Sequence, residues 1–145
     1  MVDLCDTYIE NRWLAQPNHA NALGTTHGRH VLKWMDEVGV MAAMRFAGEN
    51  CVTATVDSVE FKRPIPVGET ALVEAYVFDA GRTSVRVRLR AARENPRTGE
   101  REPTTESYAV YVAIDDDREP TPVPDLTVGS ERGERLRVQA LDGAD

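Results

Sequence analysis

The hydrophobic pattern of the chain changes its period at about residue 50. Between residues 27 and 47 apolar positions recur at helical spacing, which predicts one long helix. Thr26 stands where an N-cap is expected, and Gly48 stands where helices commonly end in a left-handed residue. Beyond residue 50 the period is two and β-branched residues are frequent. The predicted strands are 51–61, 70–78, 83–93 and 104–114, after an extended lead-in at 5–14.

The third predicted strand indicates how the sheet is covered. Within residues 83–93 (TSVRVRLRAAR), Val85, Val87 and Leu89 alternate with arginines, so one face should be buried and the other solvated. A sheet with one dry face needs a cover, and the predicted helix is the only long apolar element. The pattern therefore predicts an α+β fold in which an antiparallel β-sheet wraps around one long central α-helix.

The composition divides the chain into a domain and a different C-terminal segment. Its 145 residues are enough for one domain with a sizeable core. From residue 116 onward the chain becomes acidic and proline-bearing. We therefore expect a domain at 1–115 and a tail at 116–145, with a possible short helix near 130–141.

The charge balance argues against several classes of partner. A net charge of −7 argues against broad binding to nucleic acid or to an anionic membrane. The absence of a leader and of an apolar run near about 18 residues makes a cytoplasmic protein the default expectation, with Cys5 and Cys51 as free thiols. The acidic composition contains only two lysines, Lys33 and Lys62. Adaptation to a high-salt host and a GC-rich genome that favours arginine codons are both open explanations.

One carboxylate, Asp36, lies within the apolar part of the predicted helix. On a helical wheel it falls between Val40 and Ala43, inside or at the margin of the apolar arc, and Lys33 lies three positions earlier on its exposed flank. Two interpretations are open. Asp36 forms an ion pair with Lys33 on the helix surface, or it is kept partly dry at a cleft where it acts as a base.

The start of the helix is a second candidate for chemistry. Residues 24–28 (GTTHG) bring unpaired backbone N–H groups to the positive end of the helix dipole. Such an end can hold a phosphate or polarise a carbonyl oxygen, although an ordinary capped helix has the same pattern. His27 and His30 could share a helix face, but no third ligand stands at a recognisable spacing, so we expect no metal site.

Three stretches of the chain together resemble acyl-CoA thioesterases of the hot-dog fold, in particular the brain acyl-CoA hydrolase and broad-specificity bacterial group. The first is PNHANALG (17–24), followed by HG (27–28) and LKWMDE (32–37). The second runs from VTA (52–54) and VDSV (56–59) through Phe61 to Pro64-Ile65 and Gly68. The third is GRTS (81–84). The resemblance covers roughly residues 10–115, and its first stretch is the most specific.

The resemblance implies an enzyme that hydrolyses acyl-CoA thioesters to free acid and CoA. It assigns Asp36 as the carboxylate that activates water or attacks the thioester, Asn21 as its partner from a second subunit, and Gly28 as the residue whose N–H faces the thioester oxygen. The next position, usually a second glycine in this family, is Arg29 here. No metal or cofactor is implied, because CoA is part of the substrate and product.

The resemblance also implies CoA contacts and an assembly. Arg63 and the block Gly81-Arg82-Thr83-Ser84 are expected to bind CoA, because arginine forks in turns can reach phosphate. Both arginines could equally be solubilising surface residues. The family pairs two chains, so a homodimer or a trimer of dimers is expected. A non-catalytic acyl-CoA-binding protein of the same fold is the alternative.

Overall fold

A computed structural model of the protein describes residues 1–144. Within this range the strands are β1 (Val2–Asp3), β2 (Ile9–Leu14), β3 (Asn50–Phe61), β4 (Thr70–Ala80), β5 (Ser84–Glu94), β6 (Arg101–Ile114) and β7 (Leu126–Thr127). The α-helices are α1 (Gly28–Ala47) and α2 (Glu131–Gly143), and 3-10 turns occur at Leu4–Thr7 and Pro17–His19.

Helix α1 forms the centre of the core. One face of the helix is buried along its whole length. The buried residues are Val31, Trp34, Met35, Val38, Gly39, Ala42, Ala43 and Phe46. It ends at Gly48, which has a φ of 69° and adopts the left-handed conformation that the sequence predicted. Its N-cap is His27, whose side chain accepts a hydrogen bond from the Arg29 amide. The predicted cap, Thr26, is one residue too early because its hydroxyl donates to the Ile65 carbonyl at 2.8 Å.

The main sheet has five antiparallel strands in the order β2-β4-β5-β6-β3. Helix α1 packs on one face of this sheet, mainly against β4 and β5. Val85, Val87 and Leu89 on β5 are fully buried, as the alternating pattern predicted. The predicted architecture, an antiparallel sheet wrapped around one long helix, is therefore confirmed.

The outer face of the sheet is covered by the C-terminal part of the chain. Strand β7 pairs in parallel with β1, and α2 buries Ala140 against Tyr76 and Phe78. Arg88 is consequently buried and pairs with Glu106 at 2.8 Å, although the sequence predicted a solvated face there. Helix α2 lies within the predicted tail at 116–145. Position 145 of that tail is outside the described residues. The domain boundary at residue 115 stays a prediction.

Strand β3 is the exposed edge of the sheet. Ten of its twelve residues are exposed, among them the apolar Val52, Val56 and Phe61. Its pairing with β6 is interrupted by two irregularities, at 53–55 and at 57–60. A long edge with exposed apolar side chains is a surface on which another strand can pair. Among the described helices, neither has the length and apolar character needed to cross a membrane.

Candidate active site

Asp36 lies in the middle of α1, on the side that faces β3 and β6. Its Oδ1 accepts hydrogen bonds from the hydroxyls of Thr53 and Tyr111, each at 3.0 Å. Lys33 pairs with Glu37 at 3.9 Å, one turn further along the exposed side of the helix. The surface ion pair between Lys33 and Asp36 that the sequence left open is therefore not formed.

The second carboxylate oxygen of Asp36 is free for chemistry. Oδ2 accepts no hydrogen bond from any residue in the range 1–144. Every buried side-chain nitrogen or oxygen in this range has a hydrogen-bond partner. Because Oδ2 has no partner, it is not buried and is open to solvent. A carboxylate held by one oxygen and open at the other can take a proton from water or attack an electrophilic carbon.

Thr53 and Tyr111 were missed as site residues in the sequence analysis. They lie 17 and 75 positions from Asp36, on β3 and β6. The sheet register pairs Thr53 with Tyr111, and this pairing brings both hydroxyls to the same carboxylate oxygen. The alternation along β6 is a signal that Tyr111 faces the helix, but the cross-strand register cannot be read from local sequence.

A cleft of about 290 Å³ opens beside the start of α1. Its wall includes Asn21, Thr25, Gly28, Phe61 and Arg63. The Gly28 amide has no hydrogen-bond acceptor within the described part of the chain, so it is an available donor at this wall. A Cβ at position 28 would lie 3.3 Å from the Phe61 ring, so glycine allows the ring to lie close against the helix start.

Asn21 lies in the loop that leads to this helix start. Its Oδ1 accepts hydrogen bonds from the amides of Leu23 at 2.9 Å and Thr25 at 3.1 Å, and its Nδ2 donates to the Thr25 hydroxyl at 2.8 Å. The carbonyl oxygen of the side chain is thus committed to the loop. One Nδ2–H remains, so Asn21 can serve the cleft as a hydrogen-bond donor.

The structure brings Asn21 and Gly28 together but leaves Asp36 apart from them. Asp36 does not line the cleft. It is eight residues after Gly28 on α1, which is roughly 12 Å along the axis and about 80° around it. Within one chain the candidate base and the candidate donors therefore form two separate groups.

The candidate CoA-binding residues also fall into two groups. Arg63 lines the cleft and pairs with Glu102 at 3.3 Å. In the block Gly81-Arg82-Thr83-Ser84, the first three residues form the turn between β4 and β5, and Ser84 is the first residue of β5. The Gly81 amide donates a hydrogen bond to the Ser84 carbonyl at 2.9 Å. This turn follows Ala80, whereas the cleft residue Thr105 aligns through Ala91 with Val73, about 23 Å away along β4. The structure does not gather these residues within a single chain.

The thiol of Cys51 is a poor candidate for a competing nucleophile. Burial raises the pKa of the Cys51 thiol to about 11, and the nearby Glu49 adds to the effect. A thiol in that state is protonated at neutral pH and is a poor nucleophile. Within residues 1–144, no group of three or more His, Cys, Asp or Glu side chains is arranged to hold a metal ion.

Comparison with known proteins places the chain in a family. The model of the thioesterase superfamily matches residues 23–100. A relative from Bacillus subtilis (strain 168), called an uncharacterized acyl-CoA thioester hydrolase YkhA, is 31% identical over 89% of this chain and 75% of its own length. The crystal structure of an apo-hexameric acyl-CoA thioesterase is 37% identical, covers 97% of this chain and 90% of that chain, and gives a TM-score of 0.89.

A second solved structure is informative about ligands. It is an acyl-CoA hydrolase from Staphylococcus aureus in complex with butyryl-CoA, CoA and CoA disulfide. It is 26% identical, covers 97% of this chain and 86% of that chain, and gives a TM-score of 0.89. Mutants of the same hydrolase carry alanine in place of an aspartate, an asparagine and a threonine.

The family match covers more than half of the chain, so the protein belongs to the thioesterase superfamily. The predicted family and the hot-dog fold are thereby confirmed. The predicted class of enzyme, a thioester hydrolase, is confirmed as well.

Proposed function

We propose that the protein hydrolyses acyl-CoA thioesters at a site shared by two subunits. Asp36 comes from one subunit, and Asn21 and Gly28 come from the other. The relatives named above are acyl-CoA hydrolases, which supports the substrate class. The observation that carries the shared site is the separation of Asp36 from the cleft within one chain.

The chemistry requires these groups to surround one carbon atom. The attacking oxygen must approach the thioester carbon to about 3–3.5 Å, and a donor must lie about 3 Å from the developing oxyanion. Asp36 and Gly28 are roughly 12 Å apart along the same helix. A second subunit that presents its own helix start to Asp36 satisfies both requirements.

Strand β3 supplies the surface on which such a pairing can form. Thr53, near the beginning of β3, contacts Asp36, and Phe61, at its end, contacts Gly28. Antiparallel pairing of β3 with its copy about a two-fold axis would set the Thr53 end of one chain beside the Phe61 end of the other. This arrangement would complete two equivalent sites and would cover the exposed apolar edge.

The reaction can be written with these groups alone. In one route, Asp36 Oδ2 accepts a proton from water while the water oxygen bonds to the thioester carbon. In the other route, Oδ2 attacks that carbon itself, and water then cleaves the resulting anhydride. The Gly28 N–H and the free Nδ2–H of Asn21 stabilise the oxyanion. Collapse breaks the C–S bond, and the CoA thiolate leaves and takes up the proton. No metal or cofactor is needed.

The spacing of the proposed residues agrees with the variants of the S. aureus hydrolase. The asparagine, aspartate and threonine replaced in that protein stand at the same relative spacing as Asn21, Asp36 and Thr53 here. This correspondence supports the choice of Asn21 and Asp36 and adds Thr53 to the site.

CoA would be bound by residues of both subunits. Arg63 accompanies the Gly28 half, whereas the turn at 81–84 directly precedes Val85, which pairs with Tyr111 beside Asp36. Both arginines are exposed and can offer planar forks to phosphate. The hexameric relative supports a further step of assembly, in which three such dimers associate.

A carboxylate replacement tests the proposal. Asp36→Asn keeps the shape of the side chain and removes its basicity, so turnover of an acyl-CoA series should fall by at least about 100-fold. Glu37→Gln is the matched control, because Glu37 lies on the exposed side of the same helix turn. Normal turnover in folded Asp36→Asn would refute the assignment. Wild-type protein that cleaves other thioesters but not acyl-CoA would refute the proposed substrate class.

A further inference from the structure

Tyr111 contacts Asp36, and the proposed reaction gives it no role. It is fully buried on β6, and its hydroxyl lies 3.0 Å from Asp36 Oδ1 and 3.3 Å from the Asp36 carbonyl oxygen. Burial raises the pKa of the phenol far above its ordinary value, and the charge of Asp36 raises it further. The hydroxyl therefore stays protonated and acts on the carboxylate only as a donor.

Helix α1 contains a gap that admits this hydroxyl. Gly39, one turn after Asp36, is buried, and a Cβ there would overlap the Tyr111 hydroxyl and come within 2.6 Å of Leu89 Cδ2. Its φ is not positive, so the backbone does not require glycine. Glycine inside a helix is less favourable than alanine. The space taken by Tyr111 and Leu89 is thus the physical reason for glycine at this position.

The two hydroxyls on Asp36 differ in how firmly they are held. Thr53 is exposed on the edge strand, whereas the Tyr111 ring is fixed in the core. Both donate to Oδ1, and hydrogen bonds to an ionised acceptor are stronger than neutral ones. Rotation of the carboxylate would break both hydrogen bonds, so Oδ2 keeps one direction.

We propose that Tyr111 is a positioning residue: its hydroxyl, admitted by Gly39, holds Asp36 Oδ1 so that Oδ2 points to the reacting carbon. This role rests on the proposed function of Asp36. Removal of the hydroxyl should lower kcat by roughly 10- to 100-fold, because a small misplacement of a reacting group is costly. KM should stay near the wild-type value, because substrate contacts are unchanged.

The test compares two buried tyrosines. Tyr111→Phe is measured beside Tyr76→Phe, since Tyr76 is also buried and donates to the Leu136 carbonyl on the outer face of the sheet. Both kcat and KM are determined with the acyl-CoA that the wild-type enzyme hydrolyses fastest in a chain-length series. Melting temperatures report the structural cost of each lost hydroxyl. Gly39→Ala is the second variant, because it keeps the hydroxyl and displaces it.

Each outcome decides between the two roles. Positioning is supported if kcat falls in Tyr111→Phe and in Gly39→Ala but stays near normal in Tyr76→Phe. It also requires that adding Tyr111→Phe to Asp36→Asn causes no further loss of kcat. Normal kcat in Tyr111→Phe and Gly39→Ala, with Asp36→Asn inactive, overturns the role of Tyr111 and leaves the proposed function standing. Normal turnover in Asp36→Asn overturns both.

Discussion

The two halves of the proposed site are held in different ways. Asp36 is held by hydrogen bonds from Thr53 and from the buried Tyr111, which form a cross-strand pair and are distant from Asp36 in sequence. Asn21 is fixed by its own loop, through hydrogen bonds to residues at most four positions away. The side chain of Asp36 therefore depends on the global fold, whereas the side chain of Asn21 is held by hydrogen bonds within its own loop.

This difference predicts that substitutions in the two halves behave differently. A change around Asp36 disturbs packed side chains, so it should affect both stability and turnover. A change of the Asn21 side chain affects only hydrogen bonds to Leu23 and Thr25 within its own loop, so it should affect turnover with little effect on stability. Melting temperatures of the variants around Asp36 described above test the first half of this distinction, and the Asn21 variant tests the second. The variants below are taken from the largest expected effect to the smallest.

Replacement of Asn21 should have the largest effect on turnover. Asn21→Ala removes the proposed donor to the oxyanion and the hydrogen bonds that shape the loop, so kcat should fall by roughly 100- to 1000-fold. The melting temperature should stay within about 2 °C of wild type, since the loop is exposed. Asn18→Ala is the control, because Asn18 lies in the exposed 3-10 turn that precedes Asn21. An equal loss of turnover in both variants would mean that loop shape, not the Asn21 amide, matters.

The two arginines should show a smaller, substrate-dependent effect. Arg82→Ala and Arg63→Ala should each lower kcat/KM for an acyl-CoA by about 10-fold, through lost charge-assisted hydrogen bonds to phosphate. An acyl thioester of N-acetylcysteamine lacks the nucleotide, so its kcat/KM should be nearly unchanged. Steady-state assays on both substrates check this. Equal losses on the two substrates would show that the arginine does not bind the nucleotide.

The helix start should also carry a small pH dependence of stability. Burial lowers the pKa of His30 below its ordinary value of 6.5, and the positive charges of His19, Arg29, His27 and Lys33 lower it further. The unfolded chain then binds a proton more readily than the folded chain, so stability is lost as the pH falls through 6.5 toward the folded pKa.

His30→Gln removes this titration. The melting temperature of the wild-type protein should fall more than that of His30→Gln between about pH 7.5 and about pH 5.5, by a few degrees at most. Thermal melts at a series of pH values measure the difference. Parallel curves for the two proteins would show that His30 does not contribute to the pH dependence.

The sequence predicted the elements of the fold because each element has a local period. The strand over 51–61 and the helix over 27–47 agree with β3 and α1 to within one residue. The prediction failed where a distant partner decides. Thr26 does not cap the helix because Ile65 accepts its hydrogen bond, and Arg88 is buried because α2 covers the outer face.

The same rule applies to the candidate site. Asn21, Gly28 and Asp36 stand close together in sequence, so their motif could be recognised there. Thr53 and Tyr111 reach Asp36 only through the register of β3 with β6, which local sequence does not specify. The separation of Asp36 from the cleft was also not apparent, because it follows from which side of α1 each residue faces in the folded chain.

The shared site is tested most directly by complementation between two inactive variants. Asn21→Ala and Asp36→Ala proteins are mixed, and subunit exchange is verified by native mass spectrometry. In a mixed dimer one site carries both substitutions and the other carries neither, so a random mixture should recover roughly a quarter of wild-type activity. Recovery of that size is the predicted result. No recovery, with exchange verified, would contradict a site built from two subunits.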